Sequence, residues 1–128
     1  MKIKKIAFLL LMTLFTYAAA SAQTKNPMVR IAKLQIDPAQ LDAYRAALKE
    51  HAETAVRVEA GVLTLYAVAE KDNPANITVF EIYADAAAYQ AHLQTAHFKK
   101  YKSTTKDMVK SLQLVETDPI VLATKSKL

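Results

Sequence analysis

The order of strand-like and helix-like segments is the feature that most constrains how this chain can fold. Alternating and β-branched residues predict four strands, over residues 28–36, 62–69, 76–83 and 113–122. Helical spacing of apolar residues predicts a long helix from Asp37 to about Val58 and a short helix over residues 86–94. A third helix follows Thr95, with these residues at helical spacing: Phe98, Tyr101, Thr105, Met108 and Leu112. The predicted order is β-α-β-β-α-α-β.

This order is that of a split βαβ arrangement, an α+β ferredoxin-like sheet with its helices on one face. Both faces of the predicted sheet are nevertheless apolar. In the third strand, Ile77 and Val79 point away from Phe80 and Ile82. In the second strand, alternation predicts two opposed sets: Val62, Tyr66 and Val68 against Leu63, Leu65, Ala67 and Ala69. One helix layer covers one face, so we expect a second copy of the chain to cover the other in a homodimer.

The first 22 residues have the pattern of a secretory signal peptide. Lys2, Lys4 and Lys5 precede an apolar run over residues 6–17, and small residues follow up to Ala22. The apolar run is shorter than the ~20 residues that span a membrane. We therefore predict cleavage after Ala22, a single domain over residues 23–128 with its core in 28–122, and a periplasmic or secreted protein without a stable membrane anchor. The alternative is that the segment stays uncleaved as an N-terminal anchor.

Composition excludes several classes of site. The chain has no Cys, which excludes disulfides, thiolate zinc sites and iron–sulfur clusters. Its one glycine, Gly61, cannot form the glycine-rich loop of a nucleotide site. The formal charge of +5 falls to +2 without Lys2, Lys4 and Lys5, which argues against nucleic acid as a partner. We expect the protein to purify without metal, haem or flavin.

Three histidines are candidates for chemistry. His51 flanks the apolar stripe of the long helix, either as a proton acceptor in a helix–sheet pocket or as a half-exposed surface residue. His92 and His97 are five positions apart, so one continuous helix would point them in different directions, whereas a break near Thr95 would let them converge. Their spacing does not force all three to meet, so we predict no metal site.

Glu81 is the one acidic residue of the third strand, and Tyr83 shares its face. Burial among apolar neighbours would raise the pKa of the Glu81 carboxyl group. A salt bridge to a basic residue such as Arg57 or Arg30 would prevent that rise, and we favour this interpretation. The lysines of the third helix, by contrast, are typical of a solvated face: Lys99, Lys100, Lys102, Lys106 and Lys110.

Three motifs make a family resemblance recognisable: Glu59-Ala60-Gly61-Val62-Leu63, then residues 79–85 (VFEIYAD), then residues 88–101 (AYQAHLQTAHFKKY). With them the chain resembles the antibiotic biosynthesis monooxygenase domain family, above all its quinol monooxygenase branch, over about Val29 to Leu114. The resemblance implies a homodimeric α+β barrel and cofactor-free oxidation of an electron-rich aromatic, such as a quinol, by O₂. The alternative is a non-catalytic dimer that binds a small molecule in the same pocket.

The resemblance also guides the choice of site residues. We predict His51, Glu81, His92 and His97 as the polar groups of the site. We predict Tyr66, Tyr83, Phe98 and Met108 as walls of its pocket. Haem-degrading relatives have a Trp where this chain has Tyr83, an Asn on the first strand, and an axial His where this chain has Tyr101-Lys102. Residues 29–36 contain no Asn, so haem degradation is disfavoured.

Overall fold

A computed structural model describes residues 26–126 as one four-stranded antiparallel sheet with three α-helices. The elements are β1 (Met28–Ile36), α1 (Leu41–Val58), β2 (Val62–Ala69), β3 (Asn76–Tyr83), α2 (Ala86–Leu93), α3 (Ala96–Thr105) and β4 (Val109–Thr117). The strand order β2-β3-β1-β4 confirms the predicted α+β ferredoxin-like fold. The predicted signal segment, residues 1–22, lies outside the described residues. Within 26–126, no helix is both long and apolar enough to span a membrane.

The core lies between α1 and the inner face of the sheet, defined here as the face toward the helices. Tyr44 and Leu48 of α1 pack on five buried strand residues: Ala32, Leu34, Ile36, Ile77 and Val79. The register of β1 and β3 places these residues side by side, with Ala32 opposite Val79 and Leu34 opposite Ile77. The predicted division of β3 holds, since Ile77 and Val79 share the inner face.

The boundary between α3 and β4 differs from the prediction. The third helix ends at Thr105, and β4 begins at Val109 and pairs with β1 as far as Thr117, opposite Val29. Met108 lies in the turn between them, where its carbonyl accepts a hydrogen bond from the Asp37 backbone N–H at 2.8 Å. The prediction that the helix continues through Met108 and Leu112 was wrong. The chain from Val109 onward instead forms backbone hydrogen bonds with the free edge of β1.

A bulge in β2 corrects the predicted division of its side chains. Val62 and Thr64 pair with the successive residues Tyr83 and Ile82 of β3, so Leu63 is an extra residue. Val62 is consequently buried with Tyr83 on the inner face, whereas Leu63 is exposed. The prediction that Val62 shares a face with Tyr66 and Val68 was wrong, because strict alternation does not continue through a bulge.

Gly61 lies where α2 packs against the turn between α1 and β2. A Cβ atom at this position would lie 2.6 Å from the Cβ of Ala88. The Gly61 carbonyl also accepts a hydrogen bond from the Ala84 N–H at 2.9 Å, which holds the two segments together. The backbone of Gly61 does not adopt a positive φ, so the glycine is needed for close approach rather than for its conformational freedom.

We expect Gly61→Ala to lower the free energy of unfolding by about 1–3 kcal/mol, because the added methyl group overpacks the contact with Ala88. Urea denaturation measures the change. Ala88→Gly in the same background removes the clash, so the two substitutions should be less destabilising together than their sum. Additive effects, or an unchanged unfolding midpoint for Gly61→Ala, would contradict this role.

Candidate active site

A cavity of about 400 Å³ lies between the helices and the inner face of the sheet. Its walls are largely apolar or aromatic and include Leu48, Val79, Tyr89, Leu93, Phe98 and Tyr101. Arg30, His51 and Glu81 are polar groups that also line it. A more open groove of about 450 Å³ lies between α1 and the end of β2, and the described residues of its walls include no histidine and no buried acid. The first cavity is therefore the candidate site.

Glu81 lies on the inner face of β3, directly opposite Arg30 of β1. Burial raises the pKa of its carboxyl group to about 7, although the Tyr83 hydroxyl and the Arg30 charge offset part of the rise. Among the described residues Glu81 forms no salt bridge, because Arg30 Nη2 contacts Glu116 Oε1 at 2.9 Å and Arg30 Nη1 donates to the Tyr89 hydroxyl. Glu81 can therefore accept or release a proton near neutral pH.

His51 is buried at the cavity wall, with 7% of its surface exposed, so the half-exposed alternative does not apply. Its ring stacks on Tyr101, with centroids 4.6 Å apart, and meets the edge of Phe98 at 5.8 Å. Burial and the charges of His92 and His97 lower its pKa to about 4, so the ring is neutral at pH 7. Its Nδ1 atom is buried without a hydrogen-bond partner in the described part of the chain.

His92 and His97 converge because Thr95 separates α2 from α3. The Thr95 hydroxyl donates to the His92 carbonyl at 2.7 Å and accepts from the Phe98 N–H at 3.2 Å, which caps α3. Glu59 Oε2 then lies 2.7 Å from His92 Nδ1 and 2.6 Å from His97 Nε2. Neither histidine lines the cavity. They lie behind His51 instead, with ring centroids 5.1 Å and 5.9 Å from its ring.

Glu59 is the residue of this cluster that the prediction of site residues omitted. Burial alone would raise the pKa of its carboxyl group, but the hydrogen bonds from His97 and His92 outweigh burial and hold it below its usual value. The only sequence signal for Glu59 is its place in the motif before Gly61. The spacing of residues along the sequence does not show that the end of α1 contacts α2 and α3.

Glu59, His92 and His97 also form a group that could hold a metal ion, since one ligand atom from each lies within 4.8 Å of the others. Two imidazoles and a carboxylate are donors that transition metals accept. His92 Nδ1 and His97 Nε2 are both hydrogen-bonded to the same oxygen atom, Glu59 Oε2. A metal ion would have to replace both hydrogen bonds.

The predicted pocket walls divide into two pairs. Tyr83 and Phe98 line the cavity. Tyr66 does not, because it pairs with Phe80 on the outer face of the sheet, away from the helices. Met108 does not either, because α3 ends before it and its side chain packs against the main core. Arg30, Tyr89 and Tyr101 are lining residues that the prediction omitted.

Comparison with known proteins points to one family. The model of the antibiotic biosynthesis monooxygenase family matches residues 27–104. No curated protein matches the chain.

Solved structures agree with the family match. A protein of Bacteroides thetaiotaomicron, assigned to the antibiotic biosynthesis monooxygenases, is 51% identical with a TM-score of 0.77, and the match covers 81% of this chain and 99% of that one. A Lactobacillus acidophilus protein assigned as a monooxygenase is 30% identical with a TM-score of 0.68. That match covers 70% of this chain but only 42% of the longer relative.

A Nitrosomonas europaea protein, 21% identical, shares the fold with a TM-score of 0.70 over 74% of this chain and 91% of its own. These matches confirm the resemblance drawn from the three sequence motifs. The chain belongs to the antibiotic biosynthesis monooxygenase family.

Proposed function

We propose that this protein is an exported, cofactor-independent monooxygenase that oxidises an electron-rich aromatic, such as a quinol, with O₂. The observation that carries the proposal is the pairing of an aromatic-lined cavity with a partly buried carboxyl group, Glu81, whose pKa is about 7. A phenol has a pKa near 10 and needs a proton acceptor at neutral pH. A base with a pKa close to the working pH suits that step.

The reaction balances without an external reductant. Glu81 accepts a phenolic proton, and the resulting electron-rich anion gives electrons to O₂. One oxygen atom replaces a ring hydrogen and the other leaves as water, so a quinol becomes a hydroxyquinone by losing four electrons. The protein has three tasks: it binds the ring, accepts the proton and stabilises the anion.

The cavity offers a group for each task. Tyr83, Phe98 and Tyr101 provide aromatic surface for the ring. The Arg30 guanidinium, opposite Glu81 in the sheet, supplies positive charge toward the phenolate. Neutral His51 provides a second polar group on the opposite wall, and Glu59 fixes His92 and His97 behind it.

The direct test is aerobic assay of the purified protein against a panel of quinols under ¹⁸O₂, with mass spectrometry of the products. We expect a hydroxyquinone that carries one ¹⁸O atom, from protein that elemental analysis and absorption spectra show to be free of metal, haem and flavin. Binding of the quinols without any turnover would contradict the proposal and favour a non-catalytic binding dimer. Stoichiometric metal that turnover requires would contradict its cofactor-independent form.

We expect Glu81→Gln to lower kcat/KM by about 10²–10⁴-fold, the range for loss of a general base. In the wild-type protein kcat/KM should rise as the pH increases through about 7, because the carboxylate is the active form. The folded protein favours the neutral carboxyl group, so wild-type stability falls as pH rises from the unfolded pKa toward 7. The unfolding free energy of Glu81→Gln minus that of the wild type should therefore increase by about 1–3 kcal/mol as the pH is raised from 5 to 8.

Two further variants distinguish loss of the base, Glu81, from loss of another cavity residue and from loss of an acid outside the cavity. His51→Ala, which changes the facing wall, should lower turnover by about 10²-fold but leave the pH profile centred near 7. Glu53→Gln changes an exposed acid of α1 whose ion pair with Lys49 is long, at 3.9 Å, and should leave turnover unchanged. A normal rate in Glu81→Gln, together with a reduced rate in His51→Ala, would assign the base to His51.

We also propose that the outer face of the sheet is the interface of a homodimer. Tyr66 and Val68 of β2 lie on this face and are 48% and 65% exposed. A patch of this kind is typical of a protein interface. Light scattering of residues 23–128 at micromolar concentration should give twice the mass of one chain. Val68→Lys should lower the measured mass toward that of a single chain. A single-chain mass for the unmodified protein would contradict the dimer.

A further inference from the structure

Three lysines line one side of the active-site cavity, although the charge of Lys110 also acts on the carboxyl group of Asp37. Lys102 and Lys106 come from the end of α3 and the turn after it, and Lys110 comes from the start of β4. Within residues 26–126 none of the three forms a salt bridge, whereas Lys49 and Lys100 pair with Glu53 and Glu50. The sequence analysis interprets the lysines of this region as a solvated face. Three of them, Lys102, Lys106 and Lys110, also form part of the cavity wall.

Arg30 adds a fourth cationic side chain to the same cavity. It is 8% exposed, and its Nε–H is buried without an acceptor in the described structure. Its other nitrogens contact the Tyr89 hydroxyl and the Glu116 carboxylate, which pairs with its charge, so the excess of positive charge comes from the three lysines. Among the residues that the structure describes, Glu81 is the single acidic residue that lines the cavity. The cavity wall therefore carries an excess of positive charge, which attracts anions.

We propose that the substrate is an aromatic with an anionic substituent, held with its ring against the aromatic wall and its anion among Lys102, Lys106 and Lys110. This inference rests on the proposed function for the identity of the reacting ring. A cavity of about 400 Å³ is within the range for small ligands and suits one or two fused rings. Carboxylate and phosphate share the charge that the lysines would recognise.

Binding of unreactive ligands tests the charge preference alone. The chain has no Trp, so naphthalene fluorescence can be followed without interference from tryptophan. We expect 1-hydroxy-2-naphthoate or 1-naphthyl phosphate to bind about tenfold more tightly than neutral 1-naphthol at low salt, and the advantage to shrink at high salt. The ratio of the affinities of the two anions shows whether the site prefers a carboxylate or a phosphate. Equal affinity for the anions and 1-naphthol would overturn the proposal.

A matched pair of variants locates the anion site. Lys102→Gln/Lys106→Gln should reduce the preference for the anions to about twofold, since each exposed charge contributes a few-fold to affinity. Lys71→Gln/Lys99→Gln removes the same charge from exposed positions outside the cavity and should keep the full preference. An equal loss in both variants would show that net charge, and not this wall, attracts the anions.

Turnover separates this proposal from the function on which it rests. We expect 1,4-dihydroxy-2-naphthoate to show a KM about tenfold below that of 1,4-dihydroxynaphthalene, and the Lys102→Gln/Lys106→Gln variant to remove this difference. Turnover of both quinols with equal KM would support the monooxygenase and overturn the anion site. Selective binding of the anions with no turnover of either quinol would support the anion site and overturn the monooxygenase.

Discussion

The contact that Glu59 makes with both His92 and His97 is the interaction on which the site depends. It joins the end of α1, the end of α2 and the start of α3 at one carboxylate oxygen. Charge-assisted hydrogen bonds of this length in a partly buried position fix orientation as well as contributing stability. The back wall of the cavity is thereby set, because His92 packs against Phe98 and His51, which line it.

The sequence predicts much of the fold because the deciding patterns are local. Alternation places Ile77 and Val79 on the inner face of β3, and the turn before Asn76 defines the hairpin. The bulge at Leu63 was not predicted, because an extra residue shows only in the register of β2 against β3. The early start of β4 was not predicted, because it depends on pairing with β1, which is distant in the sequence. The local pattern at Met108 and Leu112 fits a helix, and only the open edge of β1 decides against it.

The candidate site was predictable in its residue types but not in their arrangement. His51 and Glu81 line the cavity, whereas His92 and His97 form the layer behind it. Sequence spacing gives the break at Thr95 but not the approach of Glu59 to both rings. The pairing of Arg30 with Tyr89 and Glu116 likewise follows from tertiary contacts, and it explains why the predicted salt bridge to Glu81 does not form.

The bulge in β2 has a consequence for how copies of this chain can associate. β2 is an edge of the sheet, and an edge strand with regular unpaired N–H and C=O groups is a template for continuous sheets and fibres. The extra residue at Leu63 breaks that regular spacing and increases the local twist. Edge-to-edge growth of the sheet is thereby hindered at this end of β2.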